Sequence, residues 1–181
     1  MNHSNDYKHT IFWTMLTLVP FLLQTFGLIP TMEWATHPSN GPISIFTGPL
    51  LHGSWRHMFG NLVGMLLGVS ILVKFYPRAY GKVMFLGFLL PPYIMYMFES
   101  IKSLGISGLV YTVIWFVIVS GLTSNVKEKF YTSIAILFFY GSTLNSAVPT
   151  AAIRGIAWQA HLTGICVAMV LVIYYKLKKI Y

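Results

Sequence analysis

Acidic residues are nearly missing from this sequence: 181 residues hold only Asp6, Glu33, Glu99 and Glu128. Charged side chains of both signs make up 9% of the chain against 56% hydrophobic, too few to coat a soluble globule in the usual polar surface. The polypeptide is therefore expected in a membrane. One cysteine, Cys166, excludes a disulfide within the chain and is read as a small packing residue. No aspartate falls within an apolar run, which excludes an intramembrane aspartyl protease. There is no His-Glu-x-x-His, and no carboxylate stands near His52, His57 or His161 in the sequence, so no metal and no cofactor is expected. The net charge of +8 comes from lysines and arginines scattered between apolar runs. They are not massed in one patch, so nucleic acid is not an expected partner.

What the chain does have is a series of apolar runs. A span takes about 20 mostly apolar residues to cross a hydrocarbon core of roughly 30 Å. The runs predict six spans, near residues 11–29, 57–75, 83–98, 107–122, 130–144 and 158–175. The expected fold is an all-α membrane protein, a six-transmembrane-helix bundle over residues 11–176. It is flanked by a short polar tail, 1–10, and a basic tail, 177–181. No Ala-x-Ala-like cleavage site follows the first run, which is read as a retained span. If the N-terminus is inside, Lys8, Lys74, Arg78, Lys82, Lys127, Lys129, Lys176, Lys178 and Lys179 face the cytoplasm, against Arg56, Lys102 and Arg154 outside. This imbalance predicts cytoplasmic N- and C-termini, and the compact core suits a bacterial inner membrane. The first outer loop mixes Pro30, Pro38, Pro42 and Pro49 with Ile43, Ile45, Phe46, Leu50 and Leu51 and is expected to lie partly in the membrane interface. Pro91-Pro92 is expected to bend the third span.

Polar residues at membrane depth are costly and usually functional. Three groups stand out: His52 with His57 and Asn61; Gly105-Ile106-Ser107-Gly108; and His161 with Gly164. In the predicted topology spans two, four and six all begin on the outer side, which puts the three groups at one depth. Span four has only 16 residues, about 24 Å at 1.5 Å per residue, so its outer end is expected below the surface, beside a polar pocket. Within that pocket Ser107 is the candidate nucleophile and His161 the base that activates it. Tyr111, four residues after Ser107, shares its helix face and is placed to pack on the imidazole. None of the four acids is well placed to complete a triad, which favours a dyad. The Ser107 N–H at the helix start is a candidate oxyanion donor, with His57 and Asn61, at i and i+4, on the opposite wall. Gly60, Gly64 and Gly68 in span two, and Ala160, Gly164 and Ala168 in span six, repeat every four residues and allow close helix approach.

The bland readings compete with these. Ser107 can be a helix N-cap, His161 a structural histidine and Asn61 a helix-bridging amide. His52 is read as structural, tying the first loop to the helix ends.

Leu51-His52-x4-His57-x3-Asn61, Gly105-Ile106-Ser107-Gly108-x2-Tyr111 and Ala160-His161-x2-Gly164-x3-Ala168 together resemble the motifs of the rhomboid intramembrane serine proteases, in order and on alternate spans. The resemblance implies Ser107 as nucleophile, His161 as base and Tyr111 stacked on it, with an oxyanion hole from His57, Asn61 and the Ser107 backbone. Gly105, Gly108, Gly164 and Ala168 would serve helix packing. Two departures are present. The first-loop Trp-Arg pair of many members is replaced by Ile43-Ser44, and Cys166 and Ala168 stand on a helix face that is commonly richer in glycine. The implied activity is cleavage of transmembrane segments near the outer leaflet, with membrane lipids as the surrounding partners. The rival from another class is a catalytically silent relative that binds transmembrane helices. A small transporter fits less well, because the polar residues cluster on one side.

Overall fold

A computed structural model of the chain describes residues 6–98 and 102–179, the side chains of Asp6, Ile153 and Arg154 excepted. Glu99, residues 1–5 of the N-terminal tail and the last two residues of the C-terminal one lie outside the described residues. Six long helices carry the fold: α1 (Asp6–Thr25), α2 (Trp55–Phe75), α3 (Pro77–Phe98), α4 (Ser107–Leu122), α5 (Lys127–Tyr140) and α6 (Trp158–Leu177). Among the described residues there is no strand, only an isolated antiparallel bridge between Thr36 and Ser103. By length and composition, α2, α3 and α6 are able to cross a membrane, while α4 is apolar but shorter.

Local chemistry sets several boundaries. Ser54 caps α2, its hydroxyl accepting from the His57 N–H at 3.2 Å, and satisfies one of the free donors of the first turn. Pro77 opens α3, where its missing N–H costs nothing. The Pro91-Pro92 pair lies inside α3, which continues through it to Phe98. Four helices begin earlier than their apolar runs suggest, α1 at Asp6 and α3 at Pro77 by the most, α2 at Trp55 and α5 at Lys127 by less. A hydropathy window registers apolar content, whereas a helix can continue through polar residues wherever its backbone bonds persist. In the other direction α5 stops at Tyr140, and the chain tightens into 3-10 turns over Gly141–Ser146 and Pro149–Arg154.

Helix α4 is the centre of the bundle. Fourteen of its 16 residues are buried, as expected of a helix that is apolar all round. Its neighbours come close because they present glycine to it. A Cβ on Gly64 or Gly68 of α2 would fall 2.5 Å and 2.8 Å from Val110 and Val113, and one on Gly87 of α3 2.7 Å from Leu109. Gly60 does not join this contact: nothing lies within 4 Å of the position its Cβ would take. It lines the cavity described below instead. Periodicity alone does not show which glycine of a repeat meets a neighbouring helix and which one lines a cavity.

The loop between α1 and α2 is folded on itself by buried hydroxyls. Ser44 donates to Gly41 O at 2.7 Å and accepts from the His37 N–H at 3.3 Å, and Thr36 Oγ1 donates to Ser44 O at 3.0 Å. Thr36 and Ser103 then exchange two backbone hydrogen bonds of 2.9 and 3.0 Å, and the Gly105 N–H donates to Gly48 O at 3.1 Å. The loop therefore holds the segment that leads into α4.

Candidate active site

Ser107 is the first residue of α4 and is buried. The cap position belongs to Ile106, with no side-chain cap bond, so the reading of Ser107 as an N-cap is overturned. Its hydroxyl lies instead 2.8 Å from Nε2 of His161, at the start of α6. The other ring nitrogen, Nδ1, is 2.8 Å from the carbonyl oxygen of Ser146. A carbonyl can only accept, so Nδ1 carries the proton and Nε2 presents its lone pair to the Ser107 O–H. This is the tautomer a general base requires, and a backbone carbonyl fixes it where a carboxylate does so in a triad.

Tyr111 lies flat on the imidazole, with ring centroids 4.1 Å apart and planes 6° apart. Its hydroxyl donates to Thr143 O at 2.9 Å. Both members of the stacked pair are thus pinned to carbonyls of one 3-10 turn, Gly141–Ser146. Sequence reading missed this turn, because backbone carbonyls leave no signature in residue types.

His57 and Asn61 face Gly105 from α2. Gly105 has φ +114°, and a Cβ there would sit 2.6 Å from Cε1 and 2.9 Å from Nε2 of His57, and 3.4 Å from the Asn61 amide nitrogen. Only glycine allows both this backbone and this approach. Asn61 is held by buried His52, whose Nε2 lies 3.0 Å from the amide nitrogen. Burial, with His57 beside it, pushes the His52 pKa down to about 3, so the ring is neutral and accepts the amide N–H. One N–H of the amide then remains for another acceptor. The His52 backbone is clamped in turn by Gln24 at the end of α1, which donates to His52 O at 2.7 Å and accepts from its N–H at 2.9 Å. His52 therefore does link the first loop to the helix ends, through a glutamine that sequence reading passed over.

Ser107, His161, Tyr111, His57 and Asn61 all line one open cavity of about 830 Å³, bounded deeper down by Val110, Ile114, Trp115 and Tyr140. Gly108 and Gly164 stand behind the Ser-His pair, where a Cβ on Gly164 would fall 2.3 Å from Gly108 O. Ala168 is fully buried one turn further along α6. Among the described residues no group of three His, Cys, Asp or Glu side chains gathers as a metal site.

A buried Ser-His pair on two apolar helices, opening into a cavity beside glycine-borne backbone, sets the class of this helical membrane protein. The family model for the Rhomboid domain matches residues 39–178, and the chain belongs to the rhomboid family, generally one of intramembrane serine proteases. The domain and the apolar helices mark it as an integral membrane protein. Three uncharacterized proteins, one of Mycobacterium bovis and two of Mycobacterium tuberculosis, are each 30% identical to it over 135 residues. The match covers 70% of this chain and 56% of each relative, so it spans little more than half their length.

Proposed function

We propose that the protein is an intramembrane serine endopeptidase that cleaves transmembrane segments of other membrane proteins near the outer leaflet, through a Ser107-His161 dyad. The observation that carries this reading is the 2.8 Å Ser107–His161 contact with Nδ1 tied to Ser146 O. That arrangement activates a serine and has no purpose in a protein that only binds helices. Six spans with both termini in the cytoplasm put the cavity on the outer side, since Lys74, Arg78, Lys82, Lys127, Lys129 and Lys176 all sit at the opposite helix ends.

In the reaction His161 Nε2 takes the Ser107 proton as Oγ attacks the scissile carbonyl of an unwound stretch of substrate helix. The oxyanion forms beside the Ser107 N–H and the donors of His57 and Asn61. The imidazolium, steadied by Ser146 O and the Tyr111 ring, then protonates the leaving amine. Water, activated by the same base, frees the second fragment from the acyl-enzyme.

The direct test is labelling by a fluorophosphonate probe in detergent. The wild type is expected to label and Ser107→Ala to stay blank. A folded wild type that fails to label would favour the silent, helix-binding alternative.

Two further outcomes follow from the geometry. Tyr111→Phe keeps the stacked ring but loses the bond to Thr143 O, worth about 0.5–1.5 kcal/mol. Turnover of a fluorogenic transmembrane peptide should fall by roughly two- to tenfold, and Tyr111→Leu, which also removes the stack, should lose up to about tenfold more. Gly105→Ala forces the His57 ring aside. Disabling an oxyanion donor costs about 10²–10³ in kcat, so kcat should drop by that much with little change in KM.

A further inference from the structure

The cavity around Ser107 carries charge of one sign at its rim. Arg56, the residue before His57, and Lys102, in the segment leading to α4, both line it and are both exposed, and no carboxylate among the described residues lines it. Lys102 also braces the first loop, its Nζ donating to Met32 O at 3.2 Å, which leaves two ammonium protons for another acceptor. The depth of the same cavity, at Val110, Ile114 and Trp115, is apolar. A chain with twelve basic residues and four acidic ones has little with which to neutralise such a rim.

We propose that Arg56 and Lys102 select substrates, favouring transmembrane segments with an Asp or Glu close to the scissile bond. The inference rests on the function proposed above and names the class of substrate that site would take. An unwound segment presented to Ser107 places apolar side chains against the deep wall and its polar flank at the rim. A carboxylate there meets two cations, a lysine or arginine is repelled, and an amide gains nothing from the charge. An exposed ion pair is worth up to about fivefold in affinity, and a partly screened rim with two cations should give a preference of about five- to twentyfold for Asp over Asn.

The experiment compares peptides identical except for Asp, Asn or Lys beside the cleavage site, in nonionic detergent. Binding to Ser107→Ala protein is read by fluorescence anisotropy and turnover by wild type is read as kcat/KM. Asp is expected to bind best and Lys worst, with the spread narrowing in high salt. In the double variant R56E/K102E the order is expected to reverse in favour of Lys, a gain that misfolding cannot imitate. Equal binding of the three peptides, or an Asp preference that survives the charge reversal, would overturn the proposal. Equal binding is also the result if the two cations serve only lipid headgroups. Binding preference without turnover or probe labelling by wild type would instead overturn the protease reading and leave the acidic selectivity standing, so the two failures are distinct.

Discussion

Replacement of Ser107 by Ala is expected to abolish turnover of a fluorogenic transmembrane peptide while the protein melts within a few degrees of wild type. The hydroxyl makes one hydrogen bond, to His161 Nε2, worth about 1 kcal/mol, and its loss leaves that nitrogen facing a cavity that water can enter. Catalysis has no such reserve, because without Oγ no acyl-enzyme forms. In serine hydrolases loss of the nucleophile costs on the order of 10⁶ in kcat. His161→Ala should be as inactive but less stable, since it removes the stack on Tyr111 and the bond to Ser146 O as well. Residues that act as one unit are not additive, so Ser107→Ala/His161→Ala should be no slower than either single variant. Cleavage by Ser107→Ala at the wild-type site and above a few per cent of the wild-type rate would refute the dyad.

How much of this was readable beforehand depends on what carries each feature. Side-chain chemistry at fixed spacing was readable: Ser107, Tyr111, His161, His57 and Asn61 come together in one cavity. The boundaries of α4 were readable too, because an uninterrupted apolar run between Gly105 and Thr123 leaves little freedom in where the helix lies. Backbone chemistry was not. The groups that orient His161 and Tyr111 are the carbonyls of Ser146 and Thr143, and every residue type has a carbonyl. Long-range clamps were equally hidden, since Gln24 and His52 lie 28 positions apart and meet through a side-chain amide on a peptide group. Gly60 shows the limit of periodic patterns. It keeps step with Gly64 and Gly68, yet it stands over open space at the cavity. The first loop, with Ile43-Ser44 in place of a Trp-Arg pair, is organised by the buried Ser44 and Thr36 hydroxyls, a role that two common polar residues do not announce.

Glycine at 164 is where fold and chemistry meet most closely, and Gly164→Ala is expected to damage both. The added Cβ would lie 2.3 Å from Gly108 O and 3.2 Å from the Thr112 N, both backbone atoms of α4, and 3.0 Å from Tyr111 Cβ. None is the end of a flexible side chain, so the clash can be relieved only by moving α6 away from α4, by about 1 Å to restore a normal carbon–oxygen contact. His161 lies one turn before Gly164 on α6 and Ser107 immediately before Gly108 on α4, so the 2.8 Å bond between them stretches past hydrogen-bonding range. A misplacement of that size costs about 10² in rate, and overpacking costs about 1–3 kcal/mol of stability. Turnover and melting temperature should therefore fall together, whereas Ser107→Ala lowers turnover alone. Gly81→Ala supplies the contrast: it lies in α3, exposed, with nothing within 4 Å of its Cβ position. There the substitution should stabilise the protein by about 0.5–1 kcal/mol through helix propensity. If Gly164→Ala kept full activity, the small-residue face of α6 would not be what sets the Ser107–His161 distance.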